Sequence, residues 1–387
     1  MDLLDVGRIV VGLVLLVGGG ELLVRGASAL ARRVGISSLV VGLTVVSAAT
    51  SAPELAVAVG AVLRDEPGLA VGNVVGSNIV NVLLILGLSA LVVPLAVRQR
   101  LVRFDLPWMV VLSIGLLLVS LDGRIGAVDG VLLLSAVVVH TVLTVVLSRR
   151  GARVPAAAPP GDRGARDDSD DDGGDGGGQD VRGEEEPTPA SVPRSVLLVV
   201  LGIALLVAGA TLLVDGAVNI ATSLGVSSLV VGLTVVAVGT SLPELATSVI
   251  AVRRGERDLA VGNVVGSNIF NIGMVLGLPA LISRDGIPVA GAAVAFDIPV
   301  MLAAAVALLP IAFTGFVVAR WEGALFVALY AAYTGYVVLA ATEHDALEGF
   351  TWTMAWFVLP LVVLTLVVFT AYEFGLRRGR RESVRSP

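Results

Sequence analysis

The chain contains no cysteine and no lysine among its 387 residues. Without thiols it forms no disulfide, holds no thiolate metal centre and performs no thiol catalysis. Its 26 basic residues are all arginine, and histidine occurs only twice. Charged residues make up 15% of the chain and aromatic residues 5%. No nucleophile–base pair or metal-hydrolase pattern stands in the polar segments, so the reading is not an enzyme, and nothing calls for a cofactor. The formal net charge is −6, which gives no basic surface for nucleic acid. That charge is also concentrated, because eleven of the 32 acids lie between Asp162 and Glu186.

Apolar residues fill the space left by charge. They form 56% of the chain, above the roughly 45–50% of a soluble domain, and the mean hydropathy is +0.93. Runs of about 20 apolar residues recur, each long enough to cross a bilayer as a helix. The expected fold is an all-α polytopic membrane protein embedded in lipid. Spans are expected near 6–30, 37–63, 69–95, 104–121 and 125–147, then 195–217, 227–252, 259–282, 293–318, 322–341 and 351–373. The first run lacks a small-residue cleavage site and reads as a retained span. Residues 149–194 are rich in Pro, Gly, Asp and Glu and read as a disordered acidic linker.

Two stretches nearly repeat. Residues 37–91 and 227–281 align without a gap at an offset of 190, with 38 of 55 positions identical. The likeness extends outward. Phe104-Asp105-Leu106-Pro107 answers Phe296-Asp297-Ile298-Pro299 at an offset of 192. The expected organisation is a first half at 1–148, the linker at 149–194, a second half at 195–342, and an extra span with a basic tail at 343–387. Arginines crowd one set of loops: Arg25, Arg32 and Arg33; Arg98, Arg100 and Arg103; Arg149, Arg150 and Arg153; Arg253, Arg254 and Arg257; Arg320; and Arg377, Arg378, Arg380 and Arg381. That set is cytoplasmic by the positive-inside rule. The N-terminus is then outside a cell membrane, with the acidic linker and C-terminus inside. Five spans per half is odd, so the halves sit inverted, as in secondary transporters with a midplane site.

Each repeat carries one acid in an apolar span, Glu54 or Glu244, and an intramembrane charge is costly to keep. Ala49-Thr50-Ser51-Ala52-Pro53-Glu54 matches Gly239-Thr240-Ser241-Leu242-Pro243-Glu244. Proline inside a helix removes a backbone donor and frees carbonyls one turn back. A carboxylate, two hydroxyls and freed carbonyls make an all-oxygen nest, which suits hard cations such as Ca²⁺ and Na⁺. Downstream, Ser77, Asn78 and Asn81 recur as Ser267, Asn268 and Asn271. Ser77 and Asn81 share a helix face and are placed to line the same cavity. Gly72–Gly76 and Gly262–Gly266 read as helix packing. One proline or one buried Glu is commonly structural, but two acids at matched positions beside Thr-Ser and Pro favour a binding site.

Weaker candidates are assigned structural roles. Asp105 and Asp297 each precede a proline-started span and read as N-caps. Glu21 and Asp215 read as residues near an aqueous mouth or paired with arginines. His140 reads as a span-end polar residue, and His344 as part of a solvated loop with Glu343, Asp345 and Glu348. Trp108, Trp321, Trp352 and Trp356 read as interface anchors.

Gly-Thr-Ser-Leu-Pro-Glu and Gly-Asn-Val-Val-Gly-Ser-Asn-Ile-Phe-Asn resemble the two α-repeats of the sodium/calcium exchanger family, within the cation/Ca²⁺ antiporter superfamily and nearest its prokaryotic branch. The resemblance covers the first ten spans. It implies a Ca²⁺ site built from the Glu54 and Glu244 carboxylates with the Thr50 and Thr240 carbonyls. It also implies Na⁺ positions using Ser51, Ser241, Ser77, Ser267, Asn81 and the carbonyl region of Ser47 and Ala237. Asn271 completes the set and departs from the family, because archaeal members carry an aspartate there. One acid fewer bears on sodium stoichiometry and on any proton role. The expected function is Na⁺/Ca²⁺ antiport by alternating access of a shared site. H⁺/Ca²⁺ or other cation/Ca²⁺ exchange is the nearest rival, and a passive Ca²⁺ channel is a further one. Oligomeric state is not legible.

Overall fold

The computed structural model describes residues 3–64, 66–152, 192–225, 235, 237–313 and 315–383. The expected acidic linker at 149–194 falls almost wholly outside the described residues, as do 226–234 at the start of the seventh expected span. The described chain is nearly all helix. We number the helices α1 (Leu3–Val34), α2 (Ser38–Leu63), α3 (Gly68–Val92), α4 (Leu101–Val119) and α5 (Ala127–Ala152) in the first half. The second half has α6 (Val192–Ser223), α7 (Leu242–Arg253), α8 (Arg257–Ile282), α9 (Ala293–Phe313) and α10 (Arg320–Ala341). α11 (Ala346–Phe369) is the extra C-terminal span. Among the described residues ten helices are long and apolar enough to cross a membrane. The described part of α7 is shorter, and a turn of helix at Ala237–Gly239 precedes it.

The packing of α1 against α6 shows the inversion directly. Gly12 meets Gly209, Gly19 meets Gly202, and Gly26 meets Ser195 and Val199. As residue number rises on α1 it falls on α6, so the first helices of the two halves run antiparallel. The glycines recur every seven residues, which places them on one face every two turns. A Cβ at Gly12 would lie 2.7 Å from the Gly209 carbonyl oxygen, and one at Gly19 2.8 Å from that of Gly202. Glycine is required for this backbone-to-backbone approach.

Other contacts repeat across the halves. Gly87 on α3 abuts Gly323 on α10, and Gly277 on α8 abuts Gly130 on α5. Two short antiparallel ribbons pair β1 (Leu95–Ala96) with β4 (Val317–Val318) and β2 (Arg124–Ile125) with β3 (Ile287–Pro288). An offset of 192 carries β1 onto β3 and one of 193 carries β2 onto β4, so one ribbon converts into the other. Burial then locates the centre. In α3 and α8, 78% of the most apolar window is buried, against 28% in α1 and α6 and none in α11. α3 and α8 are the core pair, and α11 lies at the periphery.

Candidate cation-binding site

Both repeats break their helix where the proline predicts. α2 stops at Thr50 and resumes at Ala52, with Ser51 at φ −80°, ψ 3°. Before α7, Ser241 takes φ −90°, ψ 8° and the helix begins at Leu242. Pro53 and Pro243 sit in the first turn of the resumed helices, where a missing N–H costs nothing. Glu54 and Glu244 share those first turns and are fully buried. A helix N-terminus carries partial positive charge and favours a carboxylate there.

The breaks bring opposite halves together. Thr50 Oγ1 lies 3.4 Å from Ser267 Oγ, and Ser77 Oγ lies 3.5 Å from Thr240 Oγ1. The offset of 190 maps one pair onto the other. The hydroxyls of Ser241 and Ser77 neighbour the Glu54 carboxylate, and that of Thr50 neighbours Glu244. None closes a hydrogen bond on either carboxylate, and all four carboxylate oxygens are buried without a protein partner. The two acids are close enough to interact electrostatically.

A cross-repeat amide ladder completes the arrangement. Asn81 Nδ2 donates to Asn268 Oδ1 at 3.4 Å, and Asn271 Nδ2 donates to Asn78 Oδ1 at 3.2 Å. These bonds orient both amides and leave Oδ1 of Asn81 and of Asn271 unpartnered, together with the hydroxyls of Ser51 and Ser241. π-helical turns at Val80–Leu86 and Asn271–Leu276 widen the helix at these asparagines, a distortion common at functional sites. Ser47 Oγ donates to the Gly42 carbonyl at 2.6 Å and lies 3.0 Å from the Asn263 carbonyl oxygen. Its counterpart Ala237 has only a methyl, so the two ends of the site differ.

Buried polar atoms without partners are costly, by about 1–3 kcal/mol each and more when charged. Here they are carboxylate, hydroxyl and amide oxygens only. Among the described residues no three His, Cys, Asp or Glu side chains cluster, which leaves two acids plus neutral oxygens. That donor set suits a hard cation. Its formal charge of −2 is balanced by one Ca²⁺ or two Na⁺.

Several assignments change. Asp105 does not cap α4, because a π-helical turn at Leu101–Asp105 runs into α4 and its own φ and ψ are helical. There are no orphan N–H groups for its side chain to satisfy. Instead Asp105 Oδ1 lies 3.0 Å from His140 Nε2, and both are fully buried. His140 is therefore an interior residue, stacked on Phe104 and tilted against Trp108. Trp108 is consequently half-buried, whereas Trp321, Trp352 and Trp356 are exposed. Asp297 likewise accepts from Tyr333 Oη at 3.0 Å. Glu21 pairs with Arg25 and Arg254, as expected. Asn263 had no assigned role. It accepts from Thr50 Oγ1 at 3.2 Å and donates to Ser248 Oγ at 3.1 Å. Its place in the repeated Gly-Asn-Val-Val-Gly was the available signal.

Two inverted halves around a central oxygen cage with paired acids define a secondary transporter of cations. The family of sodium/calcium exchanger proteins matches residues 4–146 and 194–339, and the chain belongs to that family. It is 40% identical over 281 residues to inner membrane protein YrbG of Escherichia coli (strain K12), covering 73% of this chain and 81% of YrbG. It is 32% identical over 349 residues to sodium/calcium exchanger MaX1 of Methanosarcina acetivorans, covering 84% of this chain and 96% of MaX1. The solved structure of the sodium-calcium exchanger NCX_Mj, soaked with zero Na⁺ and Ca²⁺, superposes with a TM-score of 0.68. The identity is 32%, over 86% of this chain and 98% of that one.

Proposed function

We propose that the chain is a Na⁺/Ca²⁺ antiporter that works by alternating access of one shared midplane site. The observation that carries this reading is the pair of fully buried acids, one from each inverted half, with no protein partner for any of their four oxygens. Glu54 and Glu244 provide the charge. Thr50, Thr240, Ser51, Ser241, Ser77, Ser267, Asn81 and Asn271 provide neutral oxygens, with the backbone near Ser47 and Ala237. Ca²⁺ and Na⁺ compete for the same carboxylates, so their occupancy is mutually exclusive and exchange is coupled. Membership of the family and the likeness to NCX_Mj and MaX1 support this reading. The arginine-rich loops assign the cytoplasmic face, which sets the N-terminus outside and the C-terminus inside a cell membrane.

The test is ⁴⁵Ca²⁺ uptake into Na⁺-loaded proteoliposomes, with E54Q and E244Q as controls. Uptake that requires the outward Na⁺ gradient and vanishes in both variants supports the reading. Uptake driven by a proton gradient with no Na⁺ requirement selects the H⁺/Ca²⁺ rival, which Asn271 favours by removing an acid. Unitary currents select a channel.

A further inference from the structure

The two halves are alike at the cation cage but differ in how they close over it. On the arginine-rich face α1 packs against α7, and Gly20 sits against Ile250 and Ala246. Three ion pairs tie the halves together on that face. Arg254 binds both carboxylate oxygens of Glu21, with Nε donating to Oε2 at 2.6 Å, and Arg25 holds the same carboxylate at 2.8 Å. Arg32 lies 3.7 Å from Glu256, and Arg98 pairs with Asp258.

The opposite face offers an internal control, because the residues of the α1–α7 contact have counterparts there at an offset of 190. Gly20 maps to Ala210, Ile250 to Gly60, Glu21 to Thr211, and Arg254 to Arg64. Ala210 instead lines a cavity of about 200 Å³ with Pro53 and Val57 of α2 and with Val214 and Asp215, and the cavity reaches Gly239 and Thr240 of the cage. A Cβ at Gly60 would meet nothing within 4 Å. Thr211 bonds only its own helix, at the Val207 carbonyl, and Arg64 makes no ion pair among the described residues. Both sides thus keep the arginine, but only one keeps the acid.

We propose that Glu21 and Arg254, supported by Arg32–Glu256 and Arg98–Asp258, form an ionic latch that holds the cage shut on the arginine-rich face. The inference rests on the alternating-access reading. The pairs are partly exposed, so the latch biases an equilibrium and does not block it. Thr211 leaves the other face unlatched, and the resting protein favours opening on that side.

The natural absence of cysteine supplies a clean assay. A246C places the only thiol of the full-length protein at the α1–α7 contact. Its modification by a charged methanethiosulfonate in detergent micelles reports opening whichever face is cytoplasmic. E21Q and R254Q are expected to speed modification about 3- to 5-fold, the scale of a surface ion pair. The double variant should go no further than either single change. Raising the salt from about 0.1 to 1 M shortens screening from about 10 to 3 Å, and should speed the latched protein alone. T211E, at the position that the repeat pairs with Arg64, favours closure of the other face and should speed modification by up to the same factor. Equal rates in all backgrounds, in variants that retain the circular dichroism and elution volume of the parent, would overturn the latch. ⁴⁵Ca²⁺ exchange by the parent is measured in parallel. Its absence would sink the antiport reading, while the thiol rates still judge the latch.

Discussion

Replacing Glu244 with glutamine removes one of two negative charges at constant shape. The change is well isolated structurally, because neither carboxylate oxygen of Glu244 has a protein partner to lose. The nearby Thr50 hydroxyl is available to accept from the new amide. What disappears is attraction for the cation. Removing one partner of a buried, compensated charge costs about 3–5 kcal/mol. At about 1.4 kcal/mol per tenfold, Ca²⁺ affinity should fall roughly 100- to 3,000-fold. Na⁺ carries half the charge and should lose about half that free energy, roughly 10- to 50-fold. The variant therefore binds both ions worse and discriminates less in favour of Ca²⁺. Isothermal titration of purified protein with each ion, with melting curves to confirm folding, reads both numbers. A Ca²⁺ affinity within threefold of the parent, or an equal loss for both ions, would refute the assignment of Glu244 as a direct ligand.

Other consequences follow from particular contacts. N271D removes the amide that donates to Asn78 Oδ1 and adds a third acid, so the pH profile and Na⁺ coupling of transport should change more than Ca²⁺ affinity. An unchanged pH profile and reversal potential would dismiss a role for this asparagine. G202L drives a side chain into the α1 backbone, where even a Cβ would lie 2.6 Å from Leu23 N; exchange should fall at least tenfold, roughly the effect of a few kcal/mol of overpacking, and full exchange would contradict the close α1–α6 packing. H140A leaves the buried carboxylate of Asp105 with only the long contact from Thr144 Oγ1 at 3.4 Å and should cost up to about 3 kcal/mol of stability, seen as a lowered melting temperature with Ca²⁺ affinity retained; an unshifted melting temperature would mean the pair is not structural.

The grouping of the candidate-site residues was easier to read from the sequence than their surroundings. Glu54, Glu244 and their Thr-Ser and Pro neighbours were legible because the chemistry is local, within one turn, and written twice. The inversion was legible from odd span number and arginine placement, and the antiparallel α1–α6 contact agrees with it. The Asp105–His140 pair was not legible, since its members are far apart in sequence and meet only when α4 packs on α5. The cap expected at Asp105 failed for a local reason, the helical turn already standing before it. The glycines of α1 and α6 were readable in principle from their spacing of seven. Their meaning needed the partner helix, because small residues show close packing only when both surfaces are known. The ladder that orients Asn81 and Asn271 depends on donor and acceptor geometry that motif spacing does not specify.

The central claim is a single carboxylate pair shared by the two ions. The most direct measurement is ⁴⁵Ca²⁺ binding to the purified protein across a series of Na⁺ concentrations. If the site is shared, the apparent Ca²⁺ dissociation constant rises without limit, and its logarithm climbs with log[Na⁺] at a slope of about two or more, since two charges must be replaced. A dissociation constant that levels off at high Na⁺, with Ca²⁺ and Na⁺ bound together, would contradict the account.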